Sequence, residues 1–206
     1  MESHEAERPA GHGTVRPGGR TALVRNAVRQ ATLAELAANG YQGLTVEAVA
    51  ARAGIHKTTA YRRWGSVEGL IADALELASG EPWPVPDTGT VDGDLRALAR
   101  EVLVGFTDPH TGPVSTAFVS AAAQNPAAAQ ALHAFIAARH RQAAPVVTRA
   151  IARGELPAGT DPVEVVRATV APLYYRLFIS REPVDEAVAD RAAVAALAAA
   201  RAGALS

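Results

Sequence analysis

Apolar side chains recur three and four residues apart along most of this chain, and Gly, Pro, Ser, Thr, Asn and Asp fall between the apolar stretches. That spacing lines one face of an α-helix, and the residues between supply caps and turns. The pattern is sharpest from Thr45 to Trp64. Val46, Val49, Ala50 and Ala53 keep helical register behind Thr45, whose hydroxyl can accept from the free amides of a first turn. Gly54 then stands where a helix end needs a left-handed residue. A second short helix follows over Lys57 to Arg63. Two short helices joined by a glycine turn outline a helix-turn-helix, which lays its second helix in the DNA major groove. Lys57, Arg62 and Arg63 offer charge to phosphates or guanine edges. Thr58 and Thr59 offer hydroxyls and a methyl for thymine, and Tyr61 can donate to a phosphate.

The same reading places the remaining elements. Ser66 caps a helix striped by Val67, Leu70, Ile71, Ala74, Leu75 and Ala78, which ends near Gly80, and EPWPVPDTGT follows as a proline-rich connection. Leu95, Leu98, Val102 and Phe106 mark a helix that stops before Asp108-Pro109, and another spans about Val114 to Gln124. Asn125-Pro126 opens a long helix to Arg153, with Leu132, Ile136, Ala143, Val147 and Ile151 on one side and a bend at Pro145. Asp161-Pro162 starts the next, where Glu164 is placed to close a capping box; its apolar side is Val163, Val166, Val170, Leu173, Tyr174 and Leu177. An alanine-dominated helix with Val188, Val194 and Leu197 runs from about Val184 to Arg201. No run of alternating β-branched residues suggests a sheet. The prediction is an all-α fold of about nine helices.

The stretch GIHKTTAYRRWGSVEGLIADAL, preceded by GYQGLTVEAVAARA, resembles the amino-terminal DNA-binding domain of the TetR family of bacterial transcriptional regulators, from about Arg20 through Leu75. Gly40-Tyr41, Leu44-Thr45, Gly54, Tyr61 and Trp64 stand in that family's order and spacing. The resemblance implies DNA contacts at Lys57, Thr58, Thr59, Tyr61 and Arg63, a phosphate-binding cap at Thr45, and core positions at Tyr41, Ile55 and Trp64. Two positions depart: Val67 replaces a frequent phosphate-contacting lysine, and His56 stands where a serine or another helix-starting residue is common. GEL together with PLYYRLFISREPVDEAVADR is similar to a carboxyl-terminal subtype, which implies dimerisation through the last two helices as a four-helix bundle. The implied domains are an N-terminal arm over 1–18, the helix-turn-helix unit over 19–65, and a ligand-binding and dimerisation domain over 66–206.

Charge supports this division of labour. Residues 1–64 hold nine Arg or Lys against five Asp or Glu, a net +4, while residues 65–206 carry a net −5, so the near-neutral total of −1 hides a basic end suited to phosphate. About a quarter of the chain is alanine, the best intrinsic helix former. The absence of cysteine excludes disulfides and thiolate metal sites and fits a reducing compartment. No signal peptide opens the sequence and no run of about 18 uncharged apolar residues suggests a membrane span, which points to the cytoplasm. The glycine- and proline-rich segment 1–18 reads as disordered; Arg16 and Arg20 fit either a minor-groove arm or a solvated tail.

No phosphate loop, nucleophile elbow, HExxH or cysteine nucleophile occurs, so an enzyme is not expected, and nothing calls for a cofactor. His133 and His140 lie two helical turns apart, but without a nearby cysteine or carboxylate at helical spacing ordinary histidines are favoured over a metal site. Phe106, Phe118, His133, Ile136, His140 and Tyr174 are the candidate lining of a ligand cavity. Tyr175, Val188, Ala192, Ala195 and Ala199 are the candidate dimer seam, the last four forming a strip of small residues; Tyr174 and Tyr175 can also exchange these roles. The function expected is a homodimeric repressor on a palindromic operator, released by a small molecule, with recognition helices about 34 Å or a multiple apart. The alternative is an activator or architectural DNA-binding protein without an effector.

Overall fold

The computed structural model describes residues 19–109 and 111–206. The arm predicted over 1–18, with Arg16, and His110 lie outside the described residues. Ten α-helices follow in order: α1 (Gly19–Gly43), α2 (Val46–Arg52), α3 (Lys57–Trp64), α4 (Val67–Ser79), α5 (Val91–Thr107), α6 (Gly112–Gln124), α7 (Pro126–Ala143), α8 (Pro145–Ala152), α9 (Pro162–Tyr174) and α10 (Glu186–Arg201). A π-helical segment, Tyr175–Ser180, continues α9. No strand occurs among the described residues. Helices α7 and α8 are the single bent helix of the sequence reading: Ala144 between them keeps helical angles, and Pro145, lacking an N–H, interrupts the ladder there. Counted as one rod, they bring the total to the predicted nine.

The caps are mostly those the sequence announces. Thr45, Ser66, Asn125 and Asp161 each accept from amides of the turn that follows. Glu164 departs from the expected capping box. Asp161 alone satisfies the Val163 and Glu164 amides at 2.8 and 3.2 Å, which leaves the Glu164 carboxylate to pair with Arg167 one turn on. The last helix also starts later than predicted, behind Asp185.

Two apolar clusters hold the molecule. One gathers Leu95 and Leu98 of α5, Val146 and Val147 of α8, Val165 and Leu173 of α9, and Leu197 of α10. The other joins Val28 and Leu36 of α1, Val49 of α2, Trp64 of α3 and Leu70 and Ile71 of α4 to Ala117 and Ala121 of α6. Fully burying one such large side chain contributes about 1.5 to 3 kcal/mol, whereas an exposed ion pair contributes about 0 to 1 kcal/mol. Packing therefore supplies the stability, and the ion pairs set orientation. Arg25 bridges to Asp73 at 2.7 Å and Glu76 at 3.0 Å, and Arg29 pairs with Glu81, so α1 is held to the second half of α4 and to the residues just past its end.

Candidate DNA-reading surface and ligand cavity

The DNA-reading candidates are assembled by two tight turns. Thr45 Oγ1 accepts from the Ala48 amide at 3.1 Å, fixing the start of α2. Gly54 takes φ +67°, a conformation costly for a side-chain-bearing residue, and the chain returns with the Ile55 amide donating to the Ala50 carbonyl at 3.0 Å. His56 then caps α3: its Nδ1 accepts from the Thr58 amide at 3.4 Å and lies 2.8 Å from Thr58 Oγ1. The imidazole thus does the work of the serine usual at this place in the resembled pattern.

On α3, Ala60 and Trp64 are buried, while Lys57, Thr58, Tyr61, Arg62 and Arg63 are exposed and Thr59 is partly so. The predicted contact residues share the outward side of a helix that contains no acidic residue. Arg63 lies 5.0 Å over the Trp64 ring, a contact that holds its guanidinium beside the surface. The Tyr61 hydroxyl donates to Glu47 of α2 at 2.8 Å. That bond, chiefly, holds the Glu47 carboxyl below its ordinary range and the Tyr61 phenol above its own. Beneath this surface Arg52 reaches buried Glu35 at 2.6 Å while Asn39 donates to the other carboxylate oxygen at 2.8 Å, which ties α2 to α1. The Arg52 bond is the main cause of a lowered Glu35 pKa. Tyr41 and Ile55 pack partly buried against the same cluster.

A cavity of about 750 Å³ lies among α5, α6, α7, α9 and the π-helical segment. Of the candidate ligand-site residues, Phe106, Phe118, Ile136, His140 and Tyr174 border it, and exposed His133 does not. Phe135 and Arg139, which the sequence reading did not name, also line it; they lie three residues after Leu132 and Ile136, a helical spacing that could have found them. Phe178 was not legible in this way, because it follows the change from α-helical to π-helical winding, where 3.6-residue periodicity loses phase. Phe106 meets Tyr174 and Phe178 edge-to-face at 5.5 and 5.2 Å. Burial pushes the Tyr174 phenol up to about 12. His140 is buried with Nε2 unpartnered; burial first, then Arg167, lowers its pKa, against an opposing contribution from Glu164. At one end the Trp83 indole N–H donates to Glu101, and Arg139 stacks 5.6 Å over Trp83 and 5.1 Å over Phe135. The Arg139 guanidinium continues past the wall to donate to the Ala78 carbonyl at 3.1 Å and the Glu81 carbonyl at 3.3 Å.

The candidate dimer strip divides. Val188 and Ala192 are buried within the chain's own fold, Ala199 is partly buried, and Ala195 is exposed. The outward track of α10 is carried instead by Ala187, Arg191, Val194, Ala195 and Ala198, about one residue out of phase with the predicted strip. With small residues on nearly every side of this helix, composition offered little contrast to fix its rotation. Tyr175 is 57% exposed and sits at the cavity mouth with Val104 and Ile179.

This architecture, a helix-turn-helix with an exposed basic second helix joined to a larger helical domain, defines a helix-turn-helix transcriptional regulator. The chain belongs to the TetR family: residues 28–74 match the family described as "Bacterial regulatory proteins, tetR family", and residues 85–196 match "Tetracyclin repressor-like, C-terminal domain". It is 32% identical over 155 residues to the HTH-type transcriptional regulator AqdR of Rhodococcus erythropolis, covering 75% of this chain and 74% of that protein. Over 153 residues it is 31% identical to the uncharacterized regulator Rv1556 of Mycobacterium tuberculosis, covering 74% and 75% of the two chains. The crystal structure of the TetR family regulator SCO0332 superposes with a TM-score of 0.68 at 31% identity, over 85% of this chain and 97% of that one. The family is one of transcription regulators and not of enzymes. No helix among the described residues is long and apolar enough to cross a membrane.

Proposed function

We propose that this regulator is a homodimeric repressor that binds a palindromic operator through α3 and is released when a small molecule fills the α5–α9 cavity. The observation that carries this reading is the reach of Arg139. One guanidinium belongs to the cavity wall and also holds the carbonyls at the end of α4, where Gln142 adds a bond to the Ser79 carbonyl at 3.1 Å. At its other end α4 abuts α3, since Gly69 lies against the Trp64 carbonyl. A ligand that moves Arg139 shifts α4 and with it the spacing of the two recognition helices. It favours release only to the extent that it binds the shifted form better. Thr45, Lys57, Thr58, Thr59, Tyr61, Arg62 and Arg63 are the proposed DNA contacts. The second copy is assigned to the outward track of α10 and the adjoining side of α9, with Ala195 and Tyr175 retained from the sequence reading.

Gly105 offers the test, because it borders the cavity and an added Cβ there meets nothing within 4 Å. Gly105→Leu places part of an occupant in the cavity without a ligand. Titration of operator DNA, selected from random sequence with the wild-type protein, is expected to show binding weakened about tenfold. Unchanged affinity with an intact helical fold would contradict coupling between cavity and DNA surface.

A further inference from the structure

All four phenylalanines of this chain, Phe106, Phe118, Phe135 and Phe178, line the one cavity, together with Trp83 and Tyr174. The fully buried residues of both apolar clusters are mainly Leu, Val, Ile and Ala and include no phenylalanine; Phe118 and Phe135 pack against the edge of the second cluster, while Phe106 and Phe178 belong to neither. A chain only 5% aromatic has concentrated its ring faces around one space. Ring faces favour a flat partner by stacking and edge-to-face contact. A volume of about 750 Å³ suits a ligand of two or more rings.

The polar groups of the wall narrow the choice further. Glu101 accepts from Trp83, Arg139 donates to the carbonyls of Ala78 and Glu81, and the Glu101 carboxylate acts electrostatically on the Arg139 guanidinium, so the wall's one negative and one positive charge offset each other. An ionised ligand would be stripped of water without a free counter-charge. His140 is different. Its Nε2 is buried and lacks a hydrogen-bond partner, and among the described residues with such an orphaned side-chain atom it alone borders the cavity. A turn of the imidazole ring would open Nε2 to the cavity, where a hydroxyl satisfies it in either tautomer, because a hydroxyl can both donate and accept.

We infer that the cavity takes a neutral, mostly apolar aromatic molecule of two or more rings whose hydroxyl pairs with His140 Nε2. This rests on the reading of the cavity as the effector site. The test is calorimetric titration of the full chain with 4-hydroxybiphenyl, biphenyl and biphenyl-4-carboxylate, on the wild type and on His140→Phe. In the wild type the hydroxyl compound should bind about three- to tenfold more tightly than biphenyl, and the carboxylate most weakly. The gap between hydroxyl compound and biphenyl should close in His140→Phe. The wild-type ranking is a separate arm that does not depend on the variant folding. A carboxylate that binds as well as the hydroxyl compound, a hydroxyl preference that survives His140→Phe, or no binding by any of the three would overturn the inference. If 4-hydroxybiphenyl binds as expected while operator affinity stays unchanged at saturation, the inference stands and the effector-site reading falls.

Discussion

The Tyr61 hydroxyl donates to Glu47, so in the proposed DNA complex a phosphate would compete for that bond. Tyr61→Ala is expected to weaken operator binding by about 1 to 3 kcal/mol with the dimer intact; equal affinities at fixed salt would make Tyr61 a bystander. Glu35 gives a pH test. Its folded-state pKa is lowered, mainly by Arg52, so its stabilisation is complete above the unfolded value and is lost as pH falls through the folded one. The melting-temperature advantage of the wild type over Glu35→Gln should therefore shrink on acidification across that range, and an advantage constant with pH would assign the loss to packing alone. At this scale Thr45 and Gly54 were legible because a cap and a positive φ are local demands. The Tyr61–Glu47 and Arg52–Glu35 bonds were not, because each joins residues that only the folded turn brings together.

Helices were read well wherever apolar and polar sides contrast, as in α4, whose predicted stripe contains its buried Leu70, Ile71, Ala74 and Leu75. The reading failed where contrast vanishes in α10 and where winding changes after Pro172, a position that removes an amide from the α9 ladder just before the π-helical segment. Contact between elements is also invisible to periodicity. A Cβ at Gly69 would stand 1.9 Å from the Trp64 carbonyl oxygen, so α4 and α3 must separate to admit it. Gly69→Ala is expected to lower both the melting temperature and operator affinity, while Gly159→Ala, at an exposed position outside the cavity where an added Cβ meets no atom within 4 Å, serves as the control. Equal effects from the two would remove the argument from close approach. On α10, Ala195 is exposed in the single chain, so Ala195→Glu should leave the protomer folded. In the proposed dimer it introduces an unpaired buried charge, which costs several kcal/mol. Light scattering at micromolar concentration should show a shift toward monomer, accompanied by loss of operator affinity; a dimer with normal binding would place the seam elsewhere.

At the scale of the whole molecule, the basic N-terminal third and acidic remainder were evident from charge alone, whereas the sharing of α6 between cavity and DNA-reading unit was not. Ala117 and Ala121 belong to the second apolar cluster, and Phe118 both packs against that cluster and lines the cavity; neighbouring alanines carry too little signal to divide a helix between two tasks. The cavity and the reading surface are therefore parts of one packed structure, which is what the proposed release requires. Because binding displaces counterions from phosphates, raising salt from about 50 to 200 mM should weaken binding to any DNA steeply, and a flat response would exclude a phosphate-tracking surface. The most direct test of the central claim is selection of bound sequences from random DNA by the wild-type protein, followed by footprinting of the enriched site. The account predicts an inverted repeat whose half-site centres lie about 34 Å apart or at a multiple of that spacing, protected on both halves at once. A single asymmetric site, or no enrichment over random sequence, would contradict it.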